Sequence, residues 1–285
     1  MRPKDEAVTR RAQTTLEHGG TVPFFDRERE SRRIEEALKS GESMMISGPA
    51  DIGKTALMLT VMRSLPRELA GRCIYIGGFR DLQDLLRNLL KSLQQADSSG
   101  LRQQLKAERV SSGAFDQWLK MLPSSRLKGV LYRSVQTGDY RIILDHVPPL
   151  THATAKIIKE LFWMRNTPVI LLMRNGQKSR STQFADFFYW SDRQCLTLGP
   201  LPETSACDLL EACIEKHSLS RFDLEEFREE VLLRSGCVPG AIVKMCALAA
   251  DPRYQYGSRI KTKLVHIDYL MCGSSLHPSS GRKSR

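Results

Sequence analysis

Two rhythms of apolar positions run along this chain. Short segments that are apolar almost throughout occur at 44–46 (MMI), 73–76 (CIYI), 140–145 (YRIILD), 169–173 (VILLM) and 195–198 (CLTL). Runs of this length without alternation predict strands buried on both faces. Between them the apolar residues fall at helical spacing. Ile34, Ala37 and Leu38 mark one helix, and Leu82, Leu85, Leu86, Leu89, Leu90 and Leu93 mark a second. Weaker helices are expected at 99–108, 113–121 and 124–135, and another from about 151 to 164. Buried strands alternating with helices predict an α/β domain whose mainly parallel sheet is covered on both sides. From Pro202 onward the pattern turns helical, at 203–217, 222–234 and 239–250, with a strand expected only at 264–267 (LVHI).

That change of rhythm divides the chain. Residues 1–20 are a polar, basic lead-in without expected structure, and 21–201 form the core. Residues 202–251 form a small helical lid subdomain, 252–272 a segment apolar enough to dock on the core, and 273–285 a basic tail. No apolar run reaches the length of a membrane span, and the first twenty residues contain no apolar signal region. Seven scattered cysteines without a C-x-x-C pair fit reduced, buried thiols in a cytoplasmic protein. The net charge of +11 suits either a solvated basic surface or a polyanionic partner such as DNA.

The chemistry concentrates where the first strand ends. Gly48, Pro49, Ala50, Asp51, Ile52, Gly53, Lys54 and Thr55 match G-x-x-x-x-G-K-T at every fixed position. Glycines let backbone N–H groups close around a β-phosphate without side-chain obstruction. The lysine reaches the β- and γ-phosphates, and the threonine hydroxyl serves Mg2+. With Ala56 opening the following helix, this octet predicts a site for ATP and Mg2+. Such a site needs a carboxylate at the tip of another buried strand, and Asp145 ends one. The next position, where an acid would prepare water for attack, holds His146. It either polarises water itself or replaces the acid in an enzyme that hydrolyses slowly.

These residues resemble the AAA+/STAND superfamily of P-loop ATPases over about residues 21–250. Besides the loop and Asp145, the segment 23–30 (PFFDRERE) is similar to the family's F-x-G-R-E-x-E opening, with Asp26 standing for the usual glycine. The turn 235–240 (SGCVPG) is similar to the S-G-G-N-P turn before the lid helix, although alone it reads as a helix boundary. The resemblance implies a P-loop NTPase three-layer sandwich with a five-stranded parallel sheet in the order 5-1-4-3-2. It implies a helical lid, with nucleotide in the cleft and Pro239 against its base or sugar. Arg174, or alternatively Asn175, would sense the γ-phosphate; as a plain surface residue Arg174 would do nothing. The chain departs from the family in the missing second acid and the missing repeats and effector domains. At this length it resembles the compact bacterial members, including those that work beside a transposase or another DNA-processing partner.

Two functions follow from the resemblance. One is a nucleotide-controlled switch or assembly subunit that hydrolyses ATP slowly, tied through Lys54, Arg174 and Pro239. A neighbouring copy would then offer an arginine in trans, with Arg165, Arg180 and Arg193 as candidates. The other is a DNA-associated adaptor for which ATP is a regulatory ligand. The aromatic cluster Phe184, Phe187, Phe188, Tyr189 and Trp190 reads first as core packing or a subunit contact, with stacking on bases as the alternative that this second function would use.

Overall fold

Strands β1 (Met44–Gly48), β2 (Cys73–Ile76), β3 (Arg141–Leu144), β4 (Val169–Arg174) and β5 (Cys195–Thr197) form one sheet in the computed structural model of the chain. The structure describes residues 26–136, 138–164, 167–174 and 194–274, with 272–274 described by backbone alone. Every strand pair is parallel, in the order β2-β3-β4-β1-β5. This is the expected order read from the opposite edge.

Parallel neighbours need crossover connections, and helices supply them. Helix α1 (Glu28–Ser40) leads into β1, and α2 (Lys54–Ser64) with the short α3 (Arg67–Ala70) connects β1 to β2. Four helices, α4 (Leu82–Gln95), α5 (Ser99–Ala107), α6 (Phe115–Met121) and α7 (Ser124–Gln136), separate β2 from β3. Helix α8 (His152–Phe162) joins β3 to β4. Polar residues start several of them: Asp81, Ser98 and Thr151 each accept a backbone N–H from the first turn of α4, α5 and α8.

Because successive strand side chains point to opposite faces, one apolar run fills two cores. Ile142, Leu144, Val169 and Leu171 join Leu85, Leu86, Leu89, Leu127, Leu131 and Ile158 on one side. Ile143, Ile170 and Leu172, also buried, take the alternate positions, and α1 packs on α2. Removing one such side chain, for example Leu86→Ala, costs about 2–5 kcal/mol through lost transfer energy and the cavity left behind. Buried Ser43 ties the layers at one end. Its hydroxyl donates to the Phe162 carbonyl at 3.1 Å and accepts the Val169 amide at 3.0 Å.

Glu28–Ala50 and Lys54–Leu198 make up this first unit. Asp51–Gly53 group with a second unit, formed by the chain from Gly199 together with Asp26 and Arg27. It contains α9 (Glu203–Lys216), α10 (Glu225–Ser235), α11 (Pro239–Ala249) and α12 (Thr262–Ser274). Leu209, Leu210, Cys213, Phe227, Ile242, Met245, Cys246, Tyr254 and Val265 form its core. The strand expected at 264–267 is instead part of α12. Three apolar residues in a run of four cannot distinguish the two periods, and only Val265 is buried while Leu264 and Ile267 are exposed. The strands of this unit lie just before it. Gln255–Tyr256 (β6) and Arg259–Ile260 (β7) pair antiparallel across Gly257, whose φ of 57° suits glycine.

The six described cysteines outside α12 are free thiols, three of them buried. Burial pushes the Cys73 thiol up to about 11 although Arg141 opposes it. Among the described residues no helix is long and apolar enough to cross a membrane. The lead-in, the tail beyond 274, Pro23 to Phe25, Arg165, Asn175, Arg180, Arg193 and the aromatic cluster from Phe184 to Trp190 lie outside the described residues.

Candidate phosphate-binding site

Strand β1 stops at Gly48 and helix α2 starts at Lys54, so five residues make the whole turn. Such a tight reversal requires unusual backbone angles. Gly53 has φ +93°, a conformation that L side chains rarely adopt. Asp51 has φ +61°, tolerated by aspartate better than by branched residues. Ile52, 1% exposed, anchors the loop. Beyond it the first N–H groups of α2 lack intrahelical acceptors, and the helix dipole adds positive potential there. This is an arrangement suited to an anion.

Lys54 turns back over the loop. Its ammonium donates to the carbonyls of Gly48 at 2.9 Å and Pro49 at 2.7 Å. Thr55, one position on, points toward the strand tips and donates its hydroxyl to Asp145 Oδ2 at 2.6 Å. Ala56 is exposed on the same first turn.

Asp145 follows β3 immediately and is 2% exposed. A buried carboxylate needs donors on both oxygens. Oδ2 accepts Thr55 and also the Tyr75 hydroxyl at 2.7 Å, while Oδ1 accepts the His146 amide at 2.7 Å. Burial, then the Asp145 charge and this hydrogen bond, pushes the Tyr75 phenol far above its ordinary value. Tyr75 therefore carries its proton at neutral pH and acts as a donor.

His146 adopts φ +46°, the left-handed region that non-glycine residues seldom occupy. Its side chain is 60% exposed, with Nε2 3.8 Å from Asp145 Oδ2. Arg174, the exposed last residue of β4, stands in register with Gly48. Lys54, Thr55 and Asp145 are thus brought together, with Arg174 beside the loop's first glycine.

Three further sequence candidates sit in the second unit. Pro239 is the first residue of α11, where its missing N–H removes no helical bond. Before it, Gly236 ends α10 at φ +56°. Asp26, standing where a glycine is usual, has φ +47° and accepts the Ser205 hydroxyl at 3.2 Å. Asp51 is met by α11: its carbonyl accepts the Gly240 amide at 2.8 Å, and its carboxylate oxygens accept Lys244 Nζ at 2.8 and 2.7 Å.

Sequence reasoning missed Tyr75 and Lys244. Tyr75 pairs in register with Ile143, so Asp145, two residues beyond, shares its sheet face. A phenol in an otherwise aliphatic strand was the available signal, and only the register says which carboxylate it meets. Lys244 is 193 positions from Asp51 and gives no local signal.

Residues 23–173, more than half of the chain, match the family described as the AAA ATPase domain. No curated protein matches the sequence. Among solved structures the chain is similar to the Walker-type ATPase of Pyrococcus abyssi, with a TM-score of 0.56 and 16% identity over 89% of this chain and 73% of that one. It is similar to Cdc6p from Pyrobaculum aerophilum, with a TM-score of 0.57 and 11% identity over 84% and 65%. It is also similar to the Aeropyrum pernix ORC1 protein solved in complex with DNA, with a TM-score of 0.57 and 12% identity over 92% and 69%. At these identities the likeness is one of fold.

Proposed function

Because the chain belongs to the family of the AAA ATPase domain and is therefore a nucleotide-binding P-loop ATPase, we propose that it holds ATP with Mg2+ in the loop 48–55 and acts as a nucleotide-controlled switch or assembly subunit. The observation that carries this is the Thr55–Asp145 contact of 2.6 Å, which links the helix after the loop to the tip of β3. Two hard oxygen donors so placed fit Mg2+, which supplies charge stabilisation to phosphoryl oxygens when bound. Lys54 exchanges the carbonyls of Gly48 and Pro49 for β- and γ-phosphate oxygens. The amides from Pro49 onward, among Ala50, Asp51, Ile52, Gly53, Lys54 and Thr55, cradle the phosphates, proline itself having no N–H. Arg174, abreast of Gly48, reports the γ-phosphate.

Hydrolysis in this proposal is slow, since the residue after Asp145 is His146, with its ring beside the aspartate rather than a second acid. Replacing Lys54 by Ala is expected to abolish binding of a fluorescent ATP analogue. His146→Glu is expected to raise turnover, and a fall would instead assign the imidazole a part in the reaction. Turnover per subunit should rise with protein concentration if a neighbour completes the site. A constant rate across about a hundredfold dilution, near typical assembly affinities, counts against assembly.

The net charge of +11 favours a second role, contact with DNA as an adaptor that uses ATP as a ligand. The structurally similar ORC1 protein was solved with DNA. Duplex binding that weakens steeply with salt supports that role, and no binding at low salt ends it.

A further inference from the structure

Asp51 is the sole carboxylate within the loop 48–55. A fixed negative charge there opposes the triphosphate that the loop is proposed to receive. The contacts of Asp51 show how this charge is handled. Both carboxylate oxygens accept the Lys244 ammonium, at 2.8 and 2.7 Å, and the Tyr269 hydroxyl lies 3.5 Å from Oδ2. The main chain is held as well, by the Gly240 amide on the Asp51 carbonyl at 2.8 Å.

These partners belong to consecutive turns of α11 and to α12. Helix α11 begins at Pro239 after Val238, which provides no side-chain cap. Its Gly240 amide is one of the first-turn donors without an intrahelical acceptor, and the Asp51 carbonyl satisfies it. The Asp51 carboxylate also lies near the positive end of the α11 dipole. The approach is close enough to require glycine, because a Cβ at position 240 would stand 2.6 Å from the Asp51 carbonyl oxygen.

We propose that Lys244 is a positioning residue for nucleotide binding: it neutralises Asp51 and holds that carboxylate away from the phosphate hollow. This rests on the reading of loop 48–55 as the nucleotide site. The Lys244 side chain is 53% exposed and that of Asp51 26%, so the pair adds little to folding stability. Its influence falls on the potential at the loop, which a nucleotide feels in proportion to its charge.

Calorimetric titration of Mg·ATP and Mg·ADP into the full chain tests this with Lys244→Met, Lys244→Arg and the double variant Lys244→Met/Asp51→Asn. Lys244→Met is expected to weaken Mg·ATP by about tenfold and Mg·ADP by less, from an uncompensated charge near the phosphates. Raising ionic strength from about 0.05 to about 0.5 M should shrink the loss as screening shortens its reach. Lys244→Arg should retain the wild-type affinity, and the double variant should recover most of what Lys244→Met loses. A Lys244→Met chain that binds as wild type overturns the proposal. So does a loss equal for both nucleotides, indifferent to salt and unrelieved by Asp51→Asn, since that describes a purely structural tie. A wild-type chain that takes up neither nucleotide fails earlier, at the parent reading, and this inference falls with it.

Discussion

Asp145 and Asp51 stand at the same loop, yet the molecule holds them by opposite means. Asp145 is 2% exposed, and three donors meet it: two hydroxyls and one backbone amide. The side chain of Asp51 is a quarter exposed and is met by an ammonium that is itself half in solvent. Buried hydrogen bonds depend on direction and are expensive to leave unmade, whereas a half-exposed ion pair acts mainly through its field and is screened by salt. Geometry is therefore specified at Asp145, and charge is set at Asp51.

Substitutions can break that contrast. The largest expected effect is at Asp145→Asn, which removes the negative charge; its amide oxygen can still accept Thr55 and Tyr75, but its NH2 then faces the His146 amide. Single-turnover phosphate release should fall about 100-fold or more while nucleotide affinity falls less than about tenfold. Equal loss of both would deny Asp145 its special part in the reaction.

Next comes Gly240→Ala. The methyl group meets the Asp51 carbonyl oxygen at 2.6 Å and its Cβ at 2.8 Å, so either the loop or α11 must shift. A destabilisation of about 1–3 kcal/mol is expected in thermal or urea unfolding. An unchanged midpoint would mean that the contact gives way freely.

Tyr75→Phe ranks third, at about 1 kcal/mol for one lost bond to a carboxylate that keeps two others. Its sign with pH is specific. The folded phenol titrates above its unfolded value, so its contribution is complete below about pH 10 and fades as pH rises toward the folded value. The stability gap between wild type and Tyr75→Phe should be flat through neutral pH and close in alkali. A gap that persists unchanged there would remove the Tyr75–Asp145 bond as its cause.

The smallest effect is Lys244→Met on stability, expected below about 1 kcal/mol and smaller still in high salt. A larger drop in the melting temperature would place Asp51 with Asp145, as a residue that the fold depends on.

Much of this was legible in the sequence because it is local. The octet 48–55 declares itself by residue type and spacing, and its flanking strand and helix by period. Asp145 is visible as the polar end of an apolar run. The run at 264–267 is the exception, because three apolar residues in four positions fit either period, and only the continuous helix Thr262–Ser274 that contains it decides for a helix. Tyr75 was hidden, because strand register and not spacing sets it beside Asp145, 70 positions away. The pairing of Asp51 with Lys244 was hidden further still.

Amino-acid order by itself determined the alternation of strands and helices, the phosphate loop and the acid at a strand tip, since periodicity and backbone freedom act over a few residues. Tertiary structure alone decided which side chains donate to each aspartate. Those contacts depend on strand register and helix approach, which are settled by packing distant segments together and leave no mark within any one of them.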